Sequence, residues 1–344
     1  MFSMKRAFVT GASGFVGRNL VQRLVQQGFQ VRCLVRASSS VRFLRRMGAE
    51  LCYGSLNDGR CLCDAMAESD WVFHVAGLTQ ALRRDELMRV NSEGAGQIAM
   101  ACSRQAQPPV LVLVSSLAAA GPCLRGRVRS EADRPAPISH YGHSKRAGEL
   151  AVQRYADRVP VTVLRPGVVF GPWGRAMLPA FRAIARLGVH LVPTFAPPPL
   201  SMIHAEDLAD LLILAAQRGQ RLQPIRAEDG NSNHAQGYYF ACDDQYPDYA
   251  ELGRMIGRSV GRSGVFCWHL ADPFPWMVAG SIELVSRIRR HAEIVNVDKM
   301  REAHASSWAS SPLAARQDLD FRPAMGLAER IQATSDWYRQ NGWM

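Results

Sequence analysis

The sequence predicts an α/β fold, a doubly wound parallel sheet followed by a smaller C-terminal lobe. Three observations carry this prediction. Short apolar runs recur through the first half of the 344-residue chain, helical periods separate them, and a glycine-rich turn follows the first run. Apolar runs too short for helices, with no polar alternation, indicate strands buried on both faces of a parallel sheet. Right-handed crossovers between such strands wind helices onto both faces.

Residues 5–10 read as the first strand, 15–27 as an amphipathic helix ending at Gly28, and 30–35 as the second strand. Runs at 49–53, 71–75, 110–115 and 161–164 continue the strands, and helical periods fill 58–67, 84–104 and 141–157. After about residue 165 the pattern loosens. Prolines gather at Pro193 and Pro197 to Pro199, and helical periods return at 205–218, 248–261, 276–290 and 327–340. A smaller lobe over the carboxyl edge of the sheet is expected there.

Bulk properties narrow the class. Apolar residues make up 47% and charged residues 21%, the balance of a soluble globular protein. The N-terminus enters a strand pattern at once, without the serial regions of a signal peptide. The longest apolar runs, such as 208–216, are too short to cross a bilayer. A cytoplasmic location is expected. The eight cysteines are scattered without a C-x-x-C pair and are expected to be reduced thiols. His and Cys show no ligand spacing, so no metal is expected. The net charge is +11, but the arginines are spread and no aromatic-basic motif accompanies them. No nucleic-acid partner is expected, and a phosphorylated ligand would find the charge favourable.

The segment Thr10-Gly11-Ala12-Ser13-Gly14-Phe15-Val16-Gly17 joins the first strand to the first helix. Gly11 permits a tight turn, Gly14 a close approach to a pyrophosphate, and Gly17 close packing of helix on strand. The helix N-terminus then offers free N–H groups to phosphate. This is the dinucleotide-binding turn of a Rossmann-type fold, with Ser13, Phe15 and Val16 beside the cofactor. The expected division is a Rossmann domain over 1–165 and a mainly substrate-binding lobe over 166–344, with some segments returning to the core. The second strand ends Leu34-Val35-Arg36-Ala37-Ser38, without the acid that would hold an NAD ribose. Arg36 suits the 2′-phosphate of NADP instead, with Ser38, Ser39 and Arg42 near enough to help. NADP(H) is therefore preferred, with NAD(H) the alternative if Arg36 is only a solvated strand-end charge.

Tyr141 and Lys145 stand four residues apart and share a helix face. A cation near a phenol, whose reference pKa is about 10, stabilises the phenolate and makes it a usable base. The strand at 110–115 ends in Ser115-Ser116, where a hydroxyl can bind a substrate oxygen. Ser116 is the first choice and Ser115 its competitor.

With these residues in place, the chain resembles the extended short-chain dehydrogenase/reductase superfamily, to which the NAD-dependent epimerases and dehydratases belong. The motifs are TGASGFVG, VFHVAG at 72–77, LVSSLAAAG at 113–121, YGHSK, LRPGVVFGP at 164–172, SMIHAEDLAD at 201–210 and the final WYRQNGW. The resemblance implies proton transfer by Tyr141, ribose binding and pKa lowering by Lys145, and polarisation of substrate by Ser116. It places Ala76, Gly77, Ser115 and the backbone of Pro166, Gly167, Val168 and Val169 beside the cofactor. It also implies a structural role for Asn91 and a dimer built on the helices at 84–104 and 141–157. One departure is Gly54-Ser55-Leu56, where the superfamily usually has Gly-Asp, leaving Ser55 and Leu56 to meet the adenine.

Leu117 and Ala118 follow Ser116, so the acidic pair of sugar dehydratases is missing. Arg165-Pro166-Gly167-Val168 resembles the 3β-hydroxysteroid dehydrogenase and dihydroflavonol reductase branch rather than the nucleotide-sugar epimerases. The expected activity interconverts a secondary alcohol and a ketone on a hydrophobic substrate, of the sterol, 4-carboxysterol or 3-keto-acid class. The alternatives are a nucleotide-sugar epimerase holding NAD and a non-catalytic NADP sensor. Thr79, Trp173, Met177 and Phe181 are expected to line an apolar substrate pocket. His204 and Asp207 read as a structural strand–helix junction. The apolar and basic stretch 273–290 packs over the pocket or lies against a membrane surface.

Overall fold

Strand β1 (Arg6–Thr10) buries Ala7, Phe8, Val9 and Thr10 in succession, as a strand covered on both faces must. The same holds for β4 (Trp71–His74), β5 (Val110–Val114) and β6 (Val161–Pro166), while β2 (Gln30–Val35) and β3 (Glu50–Tyr53) run toward one edge. These strands and β10 (Tyr238–Ala241) form a seven-stranded sheet in the order β10-β6-β5-β4-β1-β2-β3, with every pairing parallel. This computed structural model describes residues 5–224, 235–289 and 296–344.

Alternate side chains feed two cores. Val112 and Val114 enter one with Val9, Leu20 and Leu212, and Leu111 and Leu113 enter the other with Phe8, Leu62 and Ile98. Each fully buried side chain of this size contributes about 1.5–3 kcal/mol relative to exposure. The chain moves outward from β1 through β2 and β3, then returns to β4 and moves the other way. A crevice therefore opens beyond the carboxyl ends of β1 and β4, where the order reverses.

Two segments beyond residue 165 lie with the sheet. β10 extends its edge, and the Ala205–Arg218 helix packs on the Phe15–Gln26 helix. The remainder builds a third core from Phe170, Phe181, Ile184, Ile256, Ile331 and Tyr338. Two small parallel pairs accompany it: β7 (Val168–Phe170) with β9 (Met202–His204), and β8 (Val189–Val192) with β11 (Phe266–His269).

The helix expected over 84–104 is interrupted. It runs as Arg84–Met88, a π-helical turn at Arg89–Glu93, and Gly94–Ser103. Asn91 sits in the wide turn and ties it down. Its amide donates to the Leu78 carbonyl (2.8 Å) and Ser144 Oγ (2.9 Å), and its Oδ1 accepts from the Leu78 N–H (2.8 Å). His204 and Asp207 join strand to helix as expected. His204 caps the Ala205–Arg218 helix, and Asp207 binds Arg330 through both oxygens (2.9 and 2.5 Å). The stretch 273–290 becomes the Phe274–Arg289 helix. Its Trp276 lies 5.1 Å from His304, while Phe274, Met277, Val278, Leu284 and Val285 are exposed. Residue 290 lies outside the described residues.

Two buried histidines make stability pH-dependent. Burial holds His74 and His204 down to about 3, with Lys145 and Arg330 respectively adding to the effect. Between that value and the ordinary 6.5, the unfolded chain binds protons that the native chain refuses, so stability falls as pH falls through this window. Each histidine is expected to cost about 1–2 kcal/mol between pH ~6.5 and ~5. Urea unfolding at these two pH values measures the drop. His204→Asn keeps a capping side chain and should flatten the slope; an unchanged slope would rule His204 out as a source.

Candidate active site

The glycine turn is dictated by space. Gly11 has φ of +73°, and a Cβ there would come 2.5 Å from the Ala76 nitrogen. A Cβ on Gly17 would come 2.2 Å from the Gly11 carbonyl oxygen. The Phe15–Gln26 helix begins at Gly14 with no side-chain cap, so its first N–H groups remain for a ligand. Gly11, Ser13, Gly14, Phe15, Val16 and Gly17 all border one cleft of about 980 Å3. A backbone cradle that excludes side chains beside an uncapped helix N-terminus fits the pyrophosphate of a dinucleotide.

Arg36, Ser39, Ser55, Leu56 and Asn57 border the same cleft. The Arg36 guanidinium is exposed and has no side-chain partner among the described residues, while its backbone N–H donates to Ser39 Oγ (3.1 Å). Ser38 and Arg42 do not border the cleft. Ala76, Gly77, Ser115, Pro166, Gly167, Val168 and Val169 do.

Tyr141 and Lys145 lie on the His140–Gln153 helix, capped by Ser139 Oγ accepting from the Gly142 N–H (2.9 Å). Lys145 Nζ is buried and donates to the Val114 carbonyl (2.6 Å). Burial lowers its pKa to about 8, against the pull of Glu149 one turn further on. Ser116 caps the short Leu117–Ala120 helix through the Ala118 N–H (3.1 Å), and its hydroxyl favours the ionised form of Tyr141. Ser115, its competitor, is committed elsewhere: its buried hydroxyl donates to Glu149 Oε1 (2.6 Å). Glu149 also accepts from Arg165 through both oxygens (2.9 and 2.8 Å) and from Arg146 (2.9 Å).

Residues of the Val297–Ala303 helix, which no motif marks, close the other side. Asp298 accepts from the N–H groups of His140 (2.9 Å) and Tyr141 (3.2 Å), and Glu302 from Ser139 Oγ (2.6 Å). Lys299 pairs with Glu302 (2.6 Å) and stands 5.0 Å from the Tyr141 ring centroid. Burial raises the Tyr141 pKa; Lys299 and the Ser116 hydrogen bond oppose the rise, and Glu302 adds to it. Lys299 is thus a cation beside the phenol that no motif marked.

The expected pocket residues divide. Thr79 borders the cleft and, with Gln80 and Lys299, a smaller cavity of about 240 Å3. Phe181, Met177 and Trp173 belong to packing instead and do not border the cleft. Phe181 is fully buried against Tyr338 (5.2 Å), Met177 packs in the same core, and Trp173 lies between Phe43 (4.9 Å) and Trp337 (5.6 Å). Phe181 lies on the Leu178–Leu187 helix, which packs on the Tyr249–Ser259 helix, a partner that aromatic spacing alone does not reveal. Ala176, Leu200, Tyr249 and Trp308 border the cleft in their place. Among the described residues no His, Cys, Asp or Glu cluster could hold a metal.

Fold and cleft together define a dinucleotide-binding Rossmann protein. Residues 7–226 match the NAD dependent epimerase/dehydratase family. A ceramide reductase of Caulobacter vibrioides is 32% identical over 340 residues, spanning 98% of this chain and 95% of that one. A decarboxylating sterol-4-alpha-carboxylate 3-dehydrogenase of Dictyostelium discoideum is 27% identical over 240 residues, spanning 67% and 73%. The structure of a UDP-glucose 4-epimerase from Thermotoga maritima superposes with a TM-score of 0.75 at 17% identity, spanning 98% and 99%, and shares the fold. The chain belongs to the NAD-dependent epimerase/dehydratase family, within the extended short-chain dehydrogenase/reductase superfamily, and is an NAD(P)-dependent oxidoreductase.

Proposed function

We propose that this protein is an NADP(H)-dependent oxidoreductase that interconverts a secondary alcohol and a ketone on a lipid. The observation that carries the proposal is the meeting of Ser116, Tyr141 and Lys145 in one cleft with the glycine turn. A bound nicotinamide supplies the hydride acceptor or donor. Tyr141 gives the proton to the substrate oxygen in reduction and takes it in oxidation. Ser116 donates a hydrogen bond to that oxygen, and Lys145 orients the cofactor ribose. The relatives named for a ceramide and a sterol carboxylate support a lipid substrate, with a long-chain lipid ketone favoured by the match along 98% of the chain. A sterol or 3-keto acid is the second reading, favoured by the Dictyostelium relative.

Arg36 carries the preference for NADP(H). Titration of NADPH and NADH on wild type should show at least about a tenfold advantage for NADPH, as one charge-assisted contact provides. Arg36→Ala should remove that advantage and leave NADH binding nearly unchanged. Equal affinities in the wild type would shift the proposal to NAD. Co-purified NAD without net turnover would favour an epimerase.

Lys299 should set the pH profile. A cation favours the phenolate, so its removal raises the Tyr141 pKa. Because oxidation of an alcohol needs the phenolate, Lys299→Met should move the rising limb of kcat/KM to higher pH, and Lys299→Arg should restore it. Ser116 is the same in both variants, while Glu302, which raises the phenol pKa, loses its Lys299 partner only in Lys299→Met. An unmoved limb with a raised KM would assign Lys299 to substrate binding alone.

A further inference from the structure

The substrate lobe presents an apolar sheet face that no described residue covers. In the β8–β11 pair, Trp268 stands opposite Leu191 and Phe266 opposite Val189. Side chains alternate along a strand, so Phe266, Trp268 and Leu191 share the outer face. Cys267 and His190 face the other way, with His190 buried and Cys267 near the Ala250 carbonyl. Leu187 lies just before β8, and Phe195 just after it stacks on His269 (5.9 Å). Leu187, Leu191, Phe195, Phe266 and Trp268 each leave more than half of their surface in water. The chain leaves β11 through Leu270 to Pro273 and enters the helix that exposes Phe274 and Met277. Scattered apolar side chains are ordinary on a surface, but a contiguous aromatic and aliphatic patch marks an interaction site.

Charge identifies the occupant. The chain carries a net charge of +11, and two arginines border the patch: Arg186, exposed beside Leu187, and Arg262. The Arg262 guanidinium donates to the carbonyls of Ala185 (2.7 Å) and Arg186 (2.9 Å), which fixes it beside Leu187 at the start of the sheet. We propose that this face docks on an anionic lipid bilayer, with Trp268, Phe266, Leu191 and Phe195 entering the interface and the arginines meeting the headgroups. Aromatic side chains inserted at headgroup depth and basic residues around them are the two terms that hold a peripheral protein on such a surface.

The face is continuous with the candidate site. Asp272, three residues beyond β11, bonds His304 (3.1 Å), and Trp276 packs on the same ring. His304 follows the Val297–Ala303 helix, whose Lys299 borders the cleft, as does Glu302. Docking would therefore place the substrate side of the cleft close to the bilayer. That a substrate is drawn from the bilayer rests on the lipid reading above; docking itself does not.

Flotation of the full chain with vesicles tests the docking. Vesicles of phosphatidylcholine alone are compared with vesicles containing about 30% phosphatidylglycerol, an anionic content that gives a substantial surface potential. Wild type should float with the anionic vesicles and lose most binding in the neutral ones. Phe266→Ser/Trp268→Ser should lower the bound fraction about tenfold or more, since both side chains supply the inserted area. Arg186→Glu should lower it too and weaken the dependence on lipid charge. NADPH titration of each variant confirms that the Rossmann core is intact. Unchanged flotation of Phe266→Ser/Trp268→Ser overturns the proposal. So does a wild type that never floats but forms a dimer which this variant makes monomeric, because the face then binds a second copy. If wild type floats but no lipid ketone is turned over, docking stands and the substrate reading fails.

Discussion

Tyr141→Phe is expected to lower turnover of a ketone by about a hundred- to ten-thousand-fold while the dissociation constant for NADPH stays within about twofold. The substitution deletes one oxygen. The phenol is the group whose ionised form Ser116 and Lys299 favour, and on the proposed mechanism it alone delivers the proton to substrate. The ring remains to pack against Lys299, and the bond from Lys145 to the Val114 carbonyl is untouched. The backbone cradle at Gly11 and Gly17 does not involve the phenol at all. The loss should therefore fall on kcat and on kcat/KM equally, as for an interaction made only in the transition state. NADPH oxidation rates with a lipid ketone and fluorescence titration of NADPH together decide it. Turnover within tenfold of wild type would show that Tyr141 is not the proton donor. Loss of NADPH affinity alongside turnover would show that the residue supports the cofactor cleft.

How legible the molecule was in its sequence follows the range of the forces involved. Strand and helix positions are set by local periodicity, and most expected strands and helices appear within a few residues of their predicted bounds. The glycine turn is also local, since the whole cradle lies within eight residues. Tyr141 and Lys145 share a helix face by spacing, but a further cation beside the phenol comes from a helix more than 150 residues away, and Lys299 sits in an unremarkable seven-residue segment. Asp298 and Glu302 were invisible for the same reason. Phe181 shows the opposite limit. Its aromatic character placed it correctly in the apolar lobe, but burial in a core and lining of a pocket draw on the same residue types. Ser115 and Ser116 differ in a way that the sequence carries. Strand alternation sends adjacent side chains to opposite sides, and Glu149, four residues after Lys145 on the same helix face, is the natural acceptor for whichever serine points inward.

Glu149 is also where the largest loss of stability is expected. It is completely buried and is the shared counter-ion of Arg165, itself only 1% exposed, and of Arg146. Burial works to raise the Glu149 carboxyl, but Arg165 first, then Arg146 and the Ser115 hydroxyl, hold it below the usual value, so it is ionised at neutral pH. Glu149→Gln preserves shape and removes the charge, leaving Arg165 buried without its counter-charge, beside a neutral carboxamide oxygen, the faces of Tyr238 (4.2 Å) and Phe240 (6.0 Å) and the more distant Glu131. Breaking one partner of a buried pair costs about 3–5 kcal/mol, most of it the penalty of the orphaned charge. Arg146→Ala should cost about 1 kcal/mol or less, because Arg146 reaches solvent and Arg165 keeps its partner. Glu149→Leu/Arg165→Met removes both buried charges and should recover much of the loss. Urea unfolding of the three variants measures this order. A Glu149→Gln protein as stable as Arg146→Ala would mean that Arg165 is satisfied without Glu149. The same substitution reaches the candidate site, because Glu149 is the group that pulls the Lys145 pKa upward against burial. Any folded Glu149→Gln protein should therefore lose Lys145 protonation, and with it cofactor orientation, at a lower pH than wild type.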